Sequence, residues 1–197
     1  MKKGLLIFLA VVAVILIGGC NLYKSTQNNL NSQDKEVKAK WAEVQNQYQR
    51  RADLVGNLVA TVKGAANHEK STLEAVINAR AKATQMTVDP NNLTAEKLQE
   101  FSAAQGQLSQ ALGRLMVVQE QYPDLKANQN FLALQDQLEG TENRITVARS
   151  NYNTSVKEYN TTVTNFPTSI IAGYMGFKER PEFQADANAQ NAPKVEF

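Results

Sequence analysis

Along residues 37–62 the apolar positions return in steps of four and three: Val37, Trp41, Val44, Tyr48, Arg51, Val55, Leu58 and Val62. That alternation is the seam of a heptad helix, and only Arg51 breaks its apolar character. Gly64 and the polar stretch Asn67-His68-Glu69-Lys70 predict a kink or turn. Leu73, Val76, Ile77, Arg80 and Ala83 then carry a helical period to about Met86. Asp89-Pro90-Asn91-Asn92 breaks the chain, and Thr94 is suited to cap the next helix. This third helix carries Leu98, Phe101, Gln105, Leu108, Leu112, Leu115, Gln119 and Tyr122, closed by Pro123. The longest seam runs Phe131, Leu134, Leu138, Thr141, Ile145, Ala148, Tyr152, Ser155, Tyr159, Thr162 or Val163, and Phe166, and Pro167 stops it.

Long seams joined by short breaks predict an all-α fold. The expected architecture is an up-and-down bundle of three to four long antiparallel helices with an N-terminal membrane-anchor segment. With only five Pro and ten Gly, the composition agrees, because few residues can punctuate a many-stranded sheet. The polar seam positions Gln105, Gln119, Thr141 and Ser155 cost stability but fix the register of neighbouring helices. Ile170 to Phe177 is expected to pack across the bundle end. The predicted organisation is a signal or anchor segment over 1–19, a lipidation site and polar tether over 20–32 whose other reading is the start of the first helix, the bundle over 33–177, and a flexible tail over 178–197.

At the N-terminus, Lys2 and Lys3 precede the uninterrupted apolar run Leu5 to Ile17, which ends in Gly18, Gly19 and Cys20. Thirteen strongly apolar residues fall short of the ~20 that cross a bilayer comfortably, and match the core of an export signal. Ile17-Gly18-Gly19-Cys20 resembles a bacterial lipobox, which assigns lipid attachment to Cys20. The other reading is an uncleaved anchor whose helix continues from Asn21 into the interface. Under either, the basic residues stay in the cytoplasm and the body lies outside the inner membrane of a bacterial envelope.

Charge narrows the range of partners. Without Lys2 and Lys3 the 21 basic residues fall to 19, equal to the 19 acidic ones, so nothing draws the body toward nucleic-acid phosphates. The single Cys excludes an intrachain disulfide, and the single His excludes any site built on two imidazoles. His68-Glu69 lacks a second His at Thr72 and is read as an exposed His at a helix kink rather than a metal site. Arg50, Arg51 and Asp53, with Glu139, Glu142, Arg144 and Arg149, form two charged clusters. Arg51, on a seam, is expected to form a structural ion pair with Glu142; an anion pocket between helices is the other reading. The aromatic residues Trp41, Tyr48, Phe101, Tyr122, Phe131, Tyr152, Tyr159 and Phe166 fall at core or end-cap spacing. No catalytic residues, cofactor or metal ligands are singled out.

Several blocks together resemble the LemA family. They are Lys40-Trp41-Ala42, Tyr48 to Val55, Asn57-Leu58-Val59 with Thr61 to Gly64, Tyr122 to Asn128, and Thr141 to Ile145 with Ala148-Arg149. Tyr152-Asn153, Phe166-Pro167, Gly176-Phe177 and the terminal Val195-Glu196-Phe197 also fit. The resemblance implies a membrane-anchored helical bundle and supplies no catalytic residues. Gly56 stands where that family often has Pro, and many of its members carry a plain transmembrane anchor. The expected function is therefore a non-enzymatic structural or protein-interaction module of the cell envelope, held by membrane lipid and meeting an envelope protein. No nucleic acid is expected as a partner, and no small-molecule substrate is identified. An extracytoplasmic ligand-sensing bundle is the alternative.

Overall fold

The computed structural model describes residues 2–65 and 69–184. Among them the chain is helical: α1 (Lys2–Ala65), α2 (Lys70–Gln85), α3 (Ala95–Gln119), α4 (Pro123–Lys126), α5 (Gln129–Thr164) and α6 (Thr168–Tyr174), with a 3₁₀ turn at Pro90–Asn92. The described residues contain no strand. The all-helical bundle read from the seams is the observed fold. α1 runs unbroken for 64 residues because its sequence contains no proline and its glycines are isolated or paired only at Gly18-Gly19.

The chain divides into two compact units, one of residues 1–39 with 154–180 and the other of 40–153 with 181–197. The second unit holds most of the core. Val55, Leu58 and Val62 of α1, Leu73 and Val76 of α2, Leu108 and Leu115 of α3, Leu125 of α4, and Phe131 and Leu138 of α5 form one buried cluster. Each such side chain contributes ~1.5–3 kcal/mol relative to exposure, which is why the 3/4 seams are so plain in the sequence. Next to α2, the Asp89 carboxylate accepts from Asn91 N–H at 2.9 Å to shape the 3₁₀ turn, and Thr94 Oγ1 accepts from Lys97 N–H at 3.3 Å to open α3. α2 packs against α3.

The smaller unit corrects two expectations. Of the two readings of segment 20–32, the start of the first helix is the observed one rather than a tether: it is helical throughout, and Thr26 and Leu30 are buried, so the seam begins some eleven residues before Val37. Its polar composition misleads because only one residue per turn needs to face a core. The tail expected from Lys178 is likewise not free at its start. α6 ends at Tyr174, Gly176 follows with a φ of +78° that suits glycine, and Phe177 N–H returns to Ala172 O at 3.0 Å in a Schellman closure. The chain beyond it is extended, and its main chain is hydrogen-bonded to α5 side chains. The tail past Gln184 lies outside the described residues.

Three seam assignments shift locally. Phe166, expected in the core, is 82% exposed, because the chain leaves the helical path at Asn165 and the 3/4 period ends with it. Ile77 is exposed and its neighbour Val76 takes the buried position. Of the segment expected to pack across the bundle end, Ala172 is buried while Ile170 and Tyr174 face outward.

Candidate functional site

Three features carry chemistry beyond packing. The first is the start of α1. Leu5, Leu6, Ile7, Phe8, Leu9, Val11, Val14, Ile15, Leu16 and Ile17 are 52–70% exposed. Such a surface is not stable in water, and this helix is long and apolar enough to cross a membrane. Cys20 is exposed on the same helix, directly after the small pair Gly18-Gly19.

The second is a polar node inside the larger unit. α1 carries Arg51 on its core face, so a guanidinium only 2% exposed must find its partners within the protein. Its Nη1 donates to Glu142 Oε1 at 2.8 Å and to Ser109 Oγ at 3.1 Å. Its Nη2 donates to Gln105 O at 3.2 Å and to Gln105 Oε1. Gln105 and Ser109 are four apart on α3 and therefore share a face. The guanidinium carbon lies 5.0 Å from the centre of the Tyr48 ring, and the Nε–H is buried with no protein acceptor. Burial pushes the Tyr48 hydroxyl above its ordinary pKa, with the Arg149 and Arg51 charges pulling the other way. A cleft of about 550 Å³ opens beside this node, lined by Tyr48, Arg51, Ser109, Glu142, Thr146 and Arg149 among others.

The third is a repeated clamp on α5. In the larger unit, Tyr152 OH donates to Pro181 O at 2.9 Å, Asn153 Nδ2 donates to Phe183 O at 2.9 Å, and Asn153 Oδ1 accepts Phe183 N–H at 2.9 Å. In the smaller unit, Tyr159 OH donates to Lys178 O at 3.0 Å, Asn160 Nδ2 donates to Arg180 O at 2.9 Å, and Asn160 Oδ1 accepts Arg180 N–H at 2.8 Å. The same Tyr-Asn pair thus recurs after seven residues and grips chain displaced by three. Each Asn amide presents a donor and an acceptor together, as a neighbouring strand would. Family resemblance draws the eye to Tyr152-Asn153 alone; its repeat at Tyr159-Asn160 is the sequence signal that finds this groove.

Phe183, assigned to the tail from sequence, is buried among Trp41, Tyr152 and the Arg149 guanidinium, which lies 4.6 Å from its ring centre. Trp41 also meets Phe101 edge-on at 5.4 Å and donates its indole N–H to Val88 O at 3.1 Å. In the smaller unit Asp34 receives Arg180 Nη2 at 2.5 Å and Lys38 Nζ at 2.7 Å. Burial opposes the Asp34 charge, but the hydrogen bonds and charges of Lys38 and Arg180 outweigh it and hold the carboxyl below the usual range.

The charged residues singled out in the sequence separate into two groups. Arg51, Glu142 and Arg149 meet at the cleft, whereas Arg50, Asp53, Glu139 and Arg144 are exposed. Asp53 accepts from Gln49 Nε2 at 3.0 Å along its own helix. His68 lies outside the described residues; its neighbour Glu69 accepts from Tyr122 OH at 3.0 Å. Gln119 is the last residue of α3, and its side chain is likewise outside the described set. Among the described residues no group of three or more His, Cys, Asp or Glu is placed to hold a metal ion.

Comparison with known proteins adds a family and distant relatives. The family model described as the LemA family matches residues 40–197. Magnetosome protein MamQ 2 of Paramagnetospirillum magneticum is 28% identical over 174 residues, covering 80% of this chain and 64% of that protein. Magnetosome protein MamQ of Magnetospirillum gryphiswaldense is 26% identical over 206 aligned positions, 96% of this chain and 75% of that protein. Protein LemA of Metamycoplasma hominis is 25% identical over 164 residues, 83% of this chain and 71% of that protein. The chain therefore spans just under two thirds of the length of the first of these relatives.

Proposed function

The chain belongs to the LemA family, and we propose that it is a membrane-anchored, non-enzymatic interaction module of a bacterial envelope, lipidated at Cys20, with its helical body on the extracytoplasmic side. One observation carries this reading. From Leu5 to Ile17 the apolar residues are exposed apart from the half-buried Val12, whereas full burial along the same helix begins at Thr26. The helix therefore divides into a part for lipid and a part for protein. The lipobox-like Ile17-Gly18-Gly19-Cys20 lies at the division, and acyl chains on Cys20 would replace the discarded segment, each buried CH₂ contributing about 0.8 kcal/mol. The equal count of acidic and basic residues after the leader fits an interaction surface for protein rather than for phosphate polymers.

The continuity of α1 favours a second reading of the anchor. From Gly4 to Tyr23 the helix offers twenty residues with Asn21 as its single strongly polar member, ~30 Å of rise that matches a bilayer core. Tyr23 and Lys24 then fall at the interface, where such residues are favoured. Intact mass of the protein purified from its own membrane separates the two. A species beginning at Cys20 and carrying acyl groups supports lipidation; a species retaining Met1 to Gly19 refutes it and leaves the spanning helix. Crosslinking in intact cells tests the interaction role, which fails if the body yields no reproducible protein adduct from any of its helix faces.

A further inference from the structure

The cleft beside the polar node has a charge imbalance that the fold does not use. Its charged lining is two guanidiniums, Arg51 and Arg149, against one carboxylate, Glu142. Glu142 is committed to Arg51 at 2.8 Å. Among the described residues Arg149 has no carboxylate within ion-pair distance. Its guanidinium lies over Phe183, near the Tyr48 hydroxyl, and donates a long bond, 3.4 Å, to Gln184 O. Arg51, 2% exposed, keeps its Nε–H without a protein acceptor. A half-buried cation with donors to spare and a buried donor on a second cation are an incomplete arrangement, since such groups are ordinarily satisfied. The remaining lining supplies hydroxyls from Tyr48, Ser109 and Thr146. The volume, about 550 Å³, lies in the range of small-molecule sites.

We propose that this cleft is a carboxylate-binding site, in which Arg149 receives one carboxylate and the surrounding hydroxyls donate to its remaining lone pairs. The charge selects the class of ligand: one negative charge brings the lined space to neutrality, whereas a doubly charged phosphate would overshoot it beside Glu142. Planar guanidinium and planar carboxylate also match in geometry. Two sources can supply that group. One is a free organic acid from the surrounding compartment. The other is the chain itself, whose next carboxylate after the cleft-lining Gln184 is Asp186, two residues on.

The test uses the full chain in detergent micelles, with N-acetylglycine as the probe, its uncharged amide N-acetylglycinamide as the control, and inorganic phosphate as the competitor class. Binding is read by NMR titration of the arginine Nε–H and backbone amide signals in wild type and in Asp186→Asn, Arg149→Gln, Arg149→Lys and Arg144→Gln. Saturable binding of the acid and not the amide is expected, weakened about tenfold or more by Arg149→Gln, largely kept by Arg149→Lys, and unchanged by the exposed Arg144→Gln. Equal affinity in wild type and Asp186→Asn assigns the site to a free acid. Binding that appears or tightens in Asp186→Asn assigns its occupant to the chain's own carboxylate. If neither wild type nor Asp186→Asn distinguishes the acid from the amide, the site is refuted, a comparison that does not depend on any Arg149 variant folding. Tighter binding of phosphate, or undiminished binding in a folded Arg149→Gln, refutes it equally.

Discussion

Glu142 is 47% exposed, and an ordinary substitution at such a position changes stability by no more than about 0.5 kcal/mol. Glu142→Gln is expected to cost far more. The variant removes the one carboxylate that faces Arg51 at 2.8 Å and leaves a guanidinium 2% exposed with only the neutral acceptors Ser109 Oγ, Gln105 O and Gln105 Oε1. Removing one partner of a fully buried ion pair costs ~3–5 kcal/mol, and the solvent that reaches Glu142 screens part of that, so ~2 kcal/mol is expected. For a chain of this size that lowers the melting temperature by roughly 4–8 °C. Arg51→Met keeps most of the aliphatic stem but leaves Gln105 Oε1 without its donor, which costs about 1–3 kcal/mol by itself. In that background Glu142→Gln has no buried charge to strand and should cost under about 0.5 kcal/mol. The double-mutant cycle, measured by thermal and urea unfolding of the full chain in micelles, should therefore return a coupling energy of ~1.5 kcal/mol. A coupling below about 0.5 kcal/mol would refute the argument that Glu142 holds a buried charge in place.

Asn153→Ala removes both hydrogen bonds to the Phe183 backbone and should cost ~1–2 kcal/mol, with hydrogen exchange at Phe183 rising before that at Leu108; equal protection of Phe183 in the variant would contradict the clamp. Asp34 is expected to make stability pH-dependent at the acid end. Its folded pKa is lowered, so its contribution is fully present above the ordinary carboxylate range and is lost as pH falls through the depressed value. Arg180→Gln should shrink that acid-limb loss, and an unchanged acid limb would count against the Asp34–Arg180 pair. Gly56→Ala should gain less than the ~1 kcal/mol normal for a helix interior, because the added carbon would stand 3.3 Å from the Arg80 guanidinium that is bonded to Ala52 O at 2.7 Å. Arg80→Ala should restore the missing gain, and simple additivity of the two changes would refute the crowding.

The helical fold is legible in the sequence because burial repeats with the helix. Every residue of the 37–62 seam is buried, Arg51 included, and so are Leu98, Phe101, Leu108, Leu112 and Leu115 on α3. The node is half legible: a charged residue on a seam demands a partner, and Glu142 lies at hydrogen-bond distance, but Gln105 and Ser109 become acceptors for it only once α3 is packed against α1. The groove for residues 178–184 escapes sequence reading, because an extended segment gripped by its backbone leaves no hydrophobic period. Phe183 is the apolar anchor, flanked by Glu182 and Gln184, and composition alone assigns such a stretch to a tail. Thr26 and Leu30 are hidden in the same way, as single buried positions within a polar run.

The two Tyr-Asn clamps grip main chain and nothing else, so they cannot tell one residue of the extended segment from another. Displaced by three residues, the segment would offer them the same carbonyls and amides again. What forbids the slip must lie outside the clamps: the Phe183 ring among Trp41, Tyr152 and Arg149, and the Arg180 guanidinium on Asp34. A one-residue shift that carries residue 181 to Asn160 is refused differently, since it brings the ring nitrogen of Pro181 to an Asn oxygen that needs a donor. In each unit the clamp is a mark without an identity of its own, and one side chain of the segment it holds, Phe183 in the larger and Arg180 in the smaller, decides where the reading starts.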